Sequence, residues 1–78
     1  MRELIEFIAT SLVDDPTQVR VTQERYGSRM VIKLQVAKED MGRVIGKSGR
    51  VASAMRILLR VAAAEEGNRA ELEIIEPQ

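Results

Sequence analysis

The chain has 78 residues, a net charge of zero, 45% hydrophobic residues and 31% charged ones, the profile of one small globular domain rather than a disordered tail. Cysteine and histidine are both absent, which excludes disulfides, Cys/His zinc sites, cysteine nucleophiles and histidine acid–base catalysis. A domain of this size buries only about 60% of the surface its unfolded chain exposes, so its stability is marginal.

Met1, Leu4, Ile5, Ile8, Leu12 and Val13 recur at helical spacing and predict an amphipathic first helix. Phe7 is expected to pack with them. Glu3 and Glu6 interrupt any signal-peptide apolar core, so the expected compartment is the cytoplasm. Asp14-Asp15-Pro16 ends the helix, because a residue before proline is pushed out of the α region. Gln18 to Arg25 alternates, with Val19 and Val21 inward, and predicts a strand. Tyr26-Gly27-Ser28 is a turn carrying a solvent-facing tyrosine. Met30, Ile32, Leu34 and Val36 alternate with Val31, Lys33 and Gln35 in a second strand, which closes a hairpin.

Lys38-Glu39-Asp40 opens a short helix whose acidic first turn suits the helix dipole, with Met41, Val44 and Ile45 as its buried face. Gly46 and Gly49 then impose a tight turn. A long helix runs from Arg50 to about Glu66 and stops at Gly67-Asn68. Its apolar content is cut by Ser53, Arg56 and Arg60, so it is too short and too charged to span a bilayer. Ala70, Leu72 and Ile74 alternate with Glu71 and Glu73 in a last strand. The expected order is α-β-β-α-α-β in a single α+β domain over residues 1–78.

Charge is unevenly spread along this order. Residues 1–15 carry −3, residues 16–40 carry +2, residues 41–64 carry +5 with no acid at all, and residues 65–78 carry −4. A basic block between acidic ends is the footprint of a phosphate-binding face, and equally that of a solvated helix face. The glycine turn sharpens the choice. Without Cβ atoms, a nucleic-acid backbone approaches the main chain closely, and the start of the next helix offers free amides and a positive dipole end to a phosphate. Lys47, Ser48 and Arg50 add two charges and a hydroxyl. A nucleotide P-loop does not fit, because three residues rather than four separate Gly42 from Gly46-Lys47-Ser48 and a helix rather than a buried strand precedes them. No carboxylate pair, nucleophile or metal-ligand cluster accompanies the turn, so no catalytic residue, metal or cofactor is expected.

Ile45-Gly46-Lys47-Ser48-Gly49 between two helices, inside a strand–helix–helix–strand unit, resembles the GXXG loop of KH domains. The element order matches the type II form, with a three-stranded sheet and helices packed on one face. The stretch from Val36 to Lys47 is similar to the KhpA family of small bacterial RNA-binding proteins in particular. That resemblance implies a GXXG loop at 46–49 that clamps the backbone of single-stranded RNA. It assigns RNA contacts to Arg43, Ile45, Gly46, Lys47, Ser48, Gly49 and Arg50, with Ile45 on the floor of the base groove. Ala52 and Met55 stand where many KH domains have bulky aliphatics, which points to weak base selectivity. The resemblance further implies a homodimer, a heterodimer with a larger KhpB/Jag-type KH protein, and a role in RNA chaperoning, peptidoglycan homeostasis and cell shape. The alternative is an interaction module whose fold mainly builds a dimer, with RNA secondary. On the long helix, Arg50, Ser53, Arg56 and Arg60 fall within a polar arc of about 120° that also holds Ile57. Ile57 is therefore the candidate dimer contact.

Overall fold

The computed structural model describes residues 1–76, except the side chain of Lys47. Its elements are α1 (Arg2–Leu12), a 3-10 turn (Pro16–Gln18), β1 (Arg20–Tyr26), β2 (Arg29–Gln35), a second 3-10 turn (Lys38–Asp40), α2 (Met41–Glu65) and β3 (Arg69–Ile75). The strands form one mixed sheet in the order β1-β2-β3. β1 and β2 are antiparallel, and Tyr26 pairs with Arg29 across a two-residue turn. Gly27 takes φ +64° at the first turn position, the conformation a type II′ hairpin needs. β3 runs parallel to β2, reached through the long α2 crossover.

The core follows from strand alternation and helix period. Val21, Ile32, Leu34 and Leu72 project from one sheet face onto Ile5, Ala9, Val44, Met55, Leu59 and Ala63 of the helices. α1 packs against β1 and α2, while α2 packs against β3. Leu59, Ile32, Leu34 and Ile5 are fully buried, each contributing roughly 1.5–3 kcal/mol of apolar burial. The other sheet face is a polar ladder. Arg29 binds Glu71 at 2.8 Å across the parallel pair, and Lys33 binds Glu24 across the hairpin. Tyr26 donates to Glu24 at 2.7 Å, and the Arg29 guanidinium lies 5.9 Å from the Tyr26 ring centre. Lys33 and Tyr26 hold the Glu24 carboxyl below its ordinary pKa, and Arg29 does the same to Glu71.

Three expectations from sequence need correcting. Phe7 is 71% exposed rather than packed. At about 100° per residue it points away from Ile5, between Glu3 and Ser11. Lys38–Asp40 forms a 3-10 turn and not the first turn of the helix; Asp40 is buried and faces back toward α1. Ile45 is 45% exposed and so does not share the buried face with Val44.

Candidate nucleic-acid interface

The exposure of Ile45 reveals the shape of α2. Were α2 a single straight helix, Ile45 and Ala63 would be separated by about 1,800°, five full turns, and would share one direction. Ala63 is fully buried and Ile45 is not. The break lies at Ser48 and Gly49, whose φ values are +59° and +80°. Two successive left-handed residues cannot continue a right-handed helix. The segment is therefore two arms, 41–47 and 50–65, meeting at a corner formed by the four residues 46–49. Gly49 tolerates its φ for want of a Cβ; Ser48 sits in the left-handed region as a non-glycine residue, a strained arrangement of the kind concentrated at binding sites. A Cβ built on Gly46 or Gly49 meets nothing within 4 Å, so both glycines leave open space at the surface.

The second arm and β3 enclose a groove. One part, about 210 Å³, is lined by Arg56, Arg60, Ala70, Glu71 and Leu72. It adjoins a part of about 310 Å³ that shares Arg60 and Ala70 and adds Ala64, Asn68 and Arg69. β3 is an edge strand, so its outer backbone groups face this space. Arg56 Nη2 reaches the Leu72 carbonyl at 3.5 Å. A separate cavity of about 270 Å³ lies between the first arm and the end of β3, lined by Lys38, Met41, Ile45 and Glu76.

The candidate residues divide between two sides of the first arm. Ile45 faces the cavity toward β3. Gly46 and Arg43 line a different cleft of about 380 Å³, with Leu12, Gly42 and Val51, on the α1 side. Arg43 is tied there by ion pairs to Asp14 at 2.7 Å and Asp40 at 3.4 Å. Ser48, Gly49 and Arg50 are together at the corner, with Ser48 and Arg50 exposed. Lys47 belongs to the corner by its backbone, and its side chain lies outside the described part of the structure. The electrostatics follow. Arg29, Lys33 and Arg43 are neutralised by carboxylates, whereas among the described residues Arg50, Arg56 and Arg60 form no ion pair. The uncompensated positive charge of the described residues of α2 thus runs from the corner along the groove side of the second arm.

Ile57 is 57% exposed, as its place in the polar arc requires, and Leu58 and Val61 are exposed beside it. Sequence reasoning singled out Ile57 alone; extending the same helical wheel by one and four residues reaches the other two. Arg56 and Arg60 were legible as charge but not as groove walls, because that role depends on where β3 docks.

Known proteins place this architecture. The profile of the KhpA/KhpB KH domain matches residues 2–74. The protein named RNA-binding protein KhpA of Clostridium acetobutylicum is 47% identical over 75 residues, covering 96% of this chain and 100% of that one. Its namesake in Listeria monocytogenes is 47% identical over 76 residues, with 97% and 100% covered. That of Treponema pallidum is 47% identical over 74 residues, with 95% and 92% covered. Among solved structures, Aquifex aeolicus Era bound to GDP.AlF4− superposes with a TM-score of 0.62 at 20% identity, covering 96% of this chain and 29% of that one, a likeness of fold. The sequence match takes in both helices and all but the last residue of the sheet, and the chain belongs to the KhpA/KhpB KH-domain family.

Proposed function

We propose that this protein binds single-stranded RNA, with the phosphate backbone held at residues 46–49 and the bases lying along the groove between the second arm of α2 and β3. The reading is carried by one observation: the left-handed corner at Ser48-Gly49 opens onto the stretch where, among the described residues, Arg50, Arg56 and Arg60 stand without acidic partners. Relatives of nearly the same length bear the name RNA-binding protein KhpA. An open glycine corner admits a phosphate, free arginines supply attraction, and an edge strand offers backbone groups to base edges. Ile45, Gly46, Lys47, Ser48, Gly49 and Arg50 are the proposed contacts, and Arg43, paired with Asp14 and Asp40 on the α1 side, supports the arm that carries them. No helix among the described residues is long and apolar enough to cross a membrane. In this reading the protein forms a homodimer joined through the Ile57 face and acts in the cytoplasm as an RNA chaperone. A larger KhpB/Jag-type KH protein is its further partner, in peptidoglycan homeostasis and cell shape. The second reading, a dimerisation module with secondary RNA binding, is favoured by the exposed cluster of Ile57, Leu58 and Val61.

A titration of single-stranded RNA at several salt concentrations, with wild type and the double variant Lys47→Asp, Ser48→Asp, separates the two. Three or four of Lys47, Arg50, Arg56 and Arg60 reaching phosphates give a slope of log affinity on log salt of about −2 to −3, from ~0.7 per phosphate. The double variant is expected to lose at least about tenfold in affinity, about 1.4 kcal/mol. Duplex RNA binds more weakly, because the groove receives splayed bases. A variant with intact circular dichroism that still binds like wild type refutes the assignment and leaves the interaction module.

A further inference from the structure

We propose that Asp40 is a positioning residue for the RNA-binding corner, fixing the angle at which the first arm of α2 presents residues 46–49 to the groove. The proposal rests on the reading of that corner as the RNA contact. Asp40 is the one charged side chain in the interior among the described residues, 2% exposed. Its two carboxylate oxygens accept consecutive backbone amides from the segment that follows α1: Asp14 N–H donates to Oδ1 at 3.0 Å and Asp15 N–H to Oδ2 at 3.1 Å. Arg43 closes the arrangement, with Nε 3.4 Å from Asp40 and Nη2 2.7 Å from Asp14. The receiving segment is itself held. Val13 N–H is bonded to the Ala9 carbonyl, and the Asp15 side chain caps the Pro16–Gln18 turn through the Thr17 amide and hydroxyl.

The geometry makes Asp40 more than a local cap. It sits at the root of an arm of seven residues, about 10 Å long. That arm ends in a corner of two left-handed residues around which space is open. Val44 anchors the middle of the arm in the core, and beyond it Gly46 and Gly49 leave open space, so the root and Val44 together set the orientation of the tip. Charge-assisted bonds from two consecutive amides of the segment after α1, joined by the Arg43 guanidinium that bridges Asp40 and Asp14, tie that root to the end of α1. Arg43 acts with Asp40 here, which accounts for its turning away from the groove.

The test compares Asp40→Asn, Asp40→Glu and the core variant Val36→Ala, at a temperature where each is fully folded. Single-stranded RNA affinity and the hydrogen exchange of the Gly46, Ser48 and Gly49 amides in the free protein are both measured. Asparagine keeps the shape but sets an NH2 group against one of the two amides. It also removes a negative charge near a basic site, which by electrostatics alone strengthens RNA binding. Positioning predicts the opposite: affinity lower by about fivefold, in the range by which residues off a binding surface modulate it, with faster exchange at the corner. Val36→Ala, which opens a core cavity four residues before Asp40 but keeps its carboxylate, is expected to match wild type in both measurements. Glutamate keeps the charge and displaces it by one methylene, and a smaller loss of the same sign is expected. Should Asp40→Asn fail to fold, Asp40→Glu carries the test. Wild-type affinity and exchange in the folded Asp40 variants overturn the proposal, as does an equal loss in Val36→Ala. If wild type itself binds no RNA, the functional reading fails, and the exchange of the corner amides still decides the role of Asp40.

Discussion

Three alanine substitutions in one stretch of α2 are expected to differ in sign. Gly42, Gly46 and Gly49 all lie between residues 41 and 50, and a Cβ on any of them meets nothing within 4 Å. Steric crowding therefore drops out, and the backbone decides. Gly49 has φ +80°, where an L-residue costs roughly 1–2 kcal/mol. Reduced freedom of the unfolded chain returns about 0.4–1 kcal/mol, leaving Gly49→Ala destabilised by about 1 kcal/mol. For a domain of this length that lowers the melting temperature by about 4–8 °C. Gly42 and Gly46 lie in helical backbone without positive φ, so alanine there stabilises by roughly 0.5–1 kcal/mol. RNA binding divides them differently. A methyl group at Gly46 stands where a phosphate is to approach and weakens binding, whereas Gly42→Ala leaves it unchanged. Thermal unfolding followed by circular dichroism, with RNA titration of the same samples, reads both quantities. A Gly49→Ala protein as stable as Gly42→Ala would show that α2 has no left-handed corner. A Gly46→Ala protein that binds RNA like wild type would refute close approach at the loop.

Ile57→Asp is expected to leave the fold intact, since Ile57 contributes little to the core, and to give a monomer in sedimentation with RNA binding weakened through lost bivalency. A wild type already monomeric at tens of micromolar, or an unfolded variant, contradicts the dimer contact. Acid should loosen the molecule at Asp40. The Asp14 amide foremost, with the Asp15 amide and Arg43, holds the Asp40 carboxyl below its ordinary value of 3.8. Its contribution is therefore present above that value and is lost as pH falls through the lower folded one. Wild type is expected to show faster exchange at the corner amides below about pH 4, and Asp40→Asn to show no added change there.

The fold was legible because its signals are local. Alternation at Val21, at Ile32 and Leu34, and at Ala70 and Leu72 marks strands, and Gly67 marks the helix end, where the Gly67 and Asn68 amides bond to the carbonyls of Ala64 and Ala63. The glycine corner was legible for the same reason. Asp40 was read as a dipole-matched residue in a first helical turn, because its true partners are backbone amides 25 and 26 residues away, and amides leave no mark in a sequence. The opposite held for Phe7: the apolar residues around it in the sequence suggested burial, yet its place on the helical wheel, between Glu3 and Ser11, turns it outward. Ile45 went astray because one helical phase was carried from Val44, whereas Ile45 lines the separate cavity between the first arm and the end of β3.

The parallel pairing of β2 with β3 bears on how the protein is made. Leu34 faces Ile74, and Met30 faces Ala70, each across 40 residues of chain. Such distant contacts form late, after loop closure has been overcome. During synthesis the first helix, the hairpin and the basic arm all emerge before β3, yet the groove has no second wall until β3 docks. A nascent chain thus displays its arginines before the groove has the shape that β3 gives it. The groove as a shaped surface, as opposed to a stripe of charge, begins with the last strand.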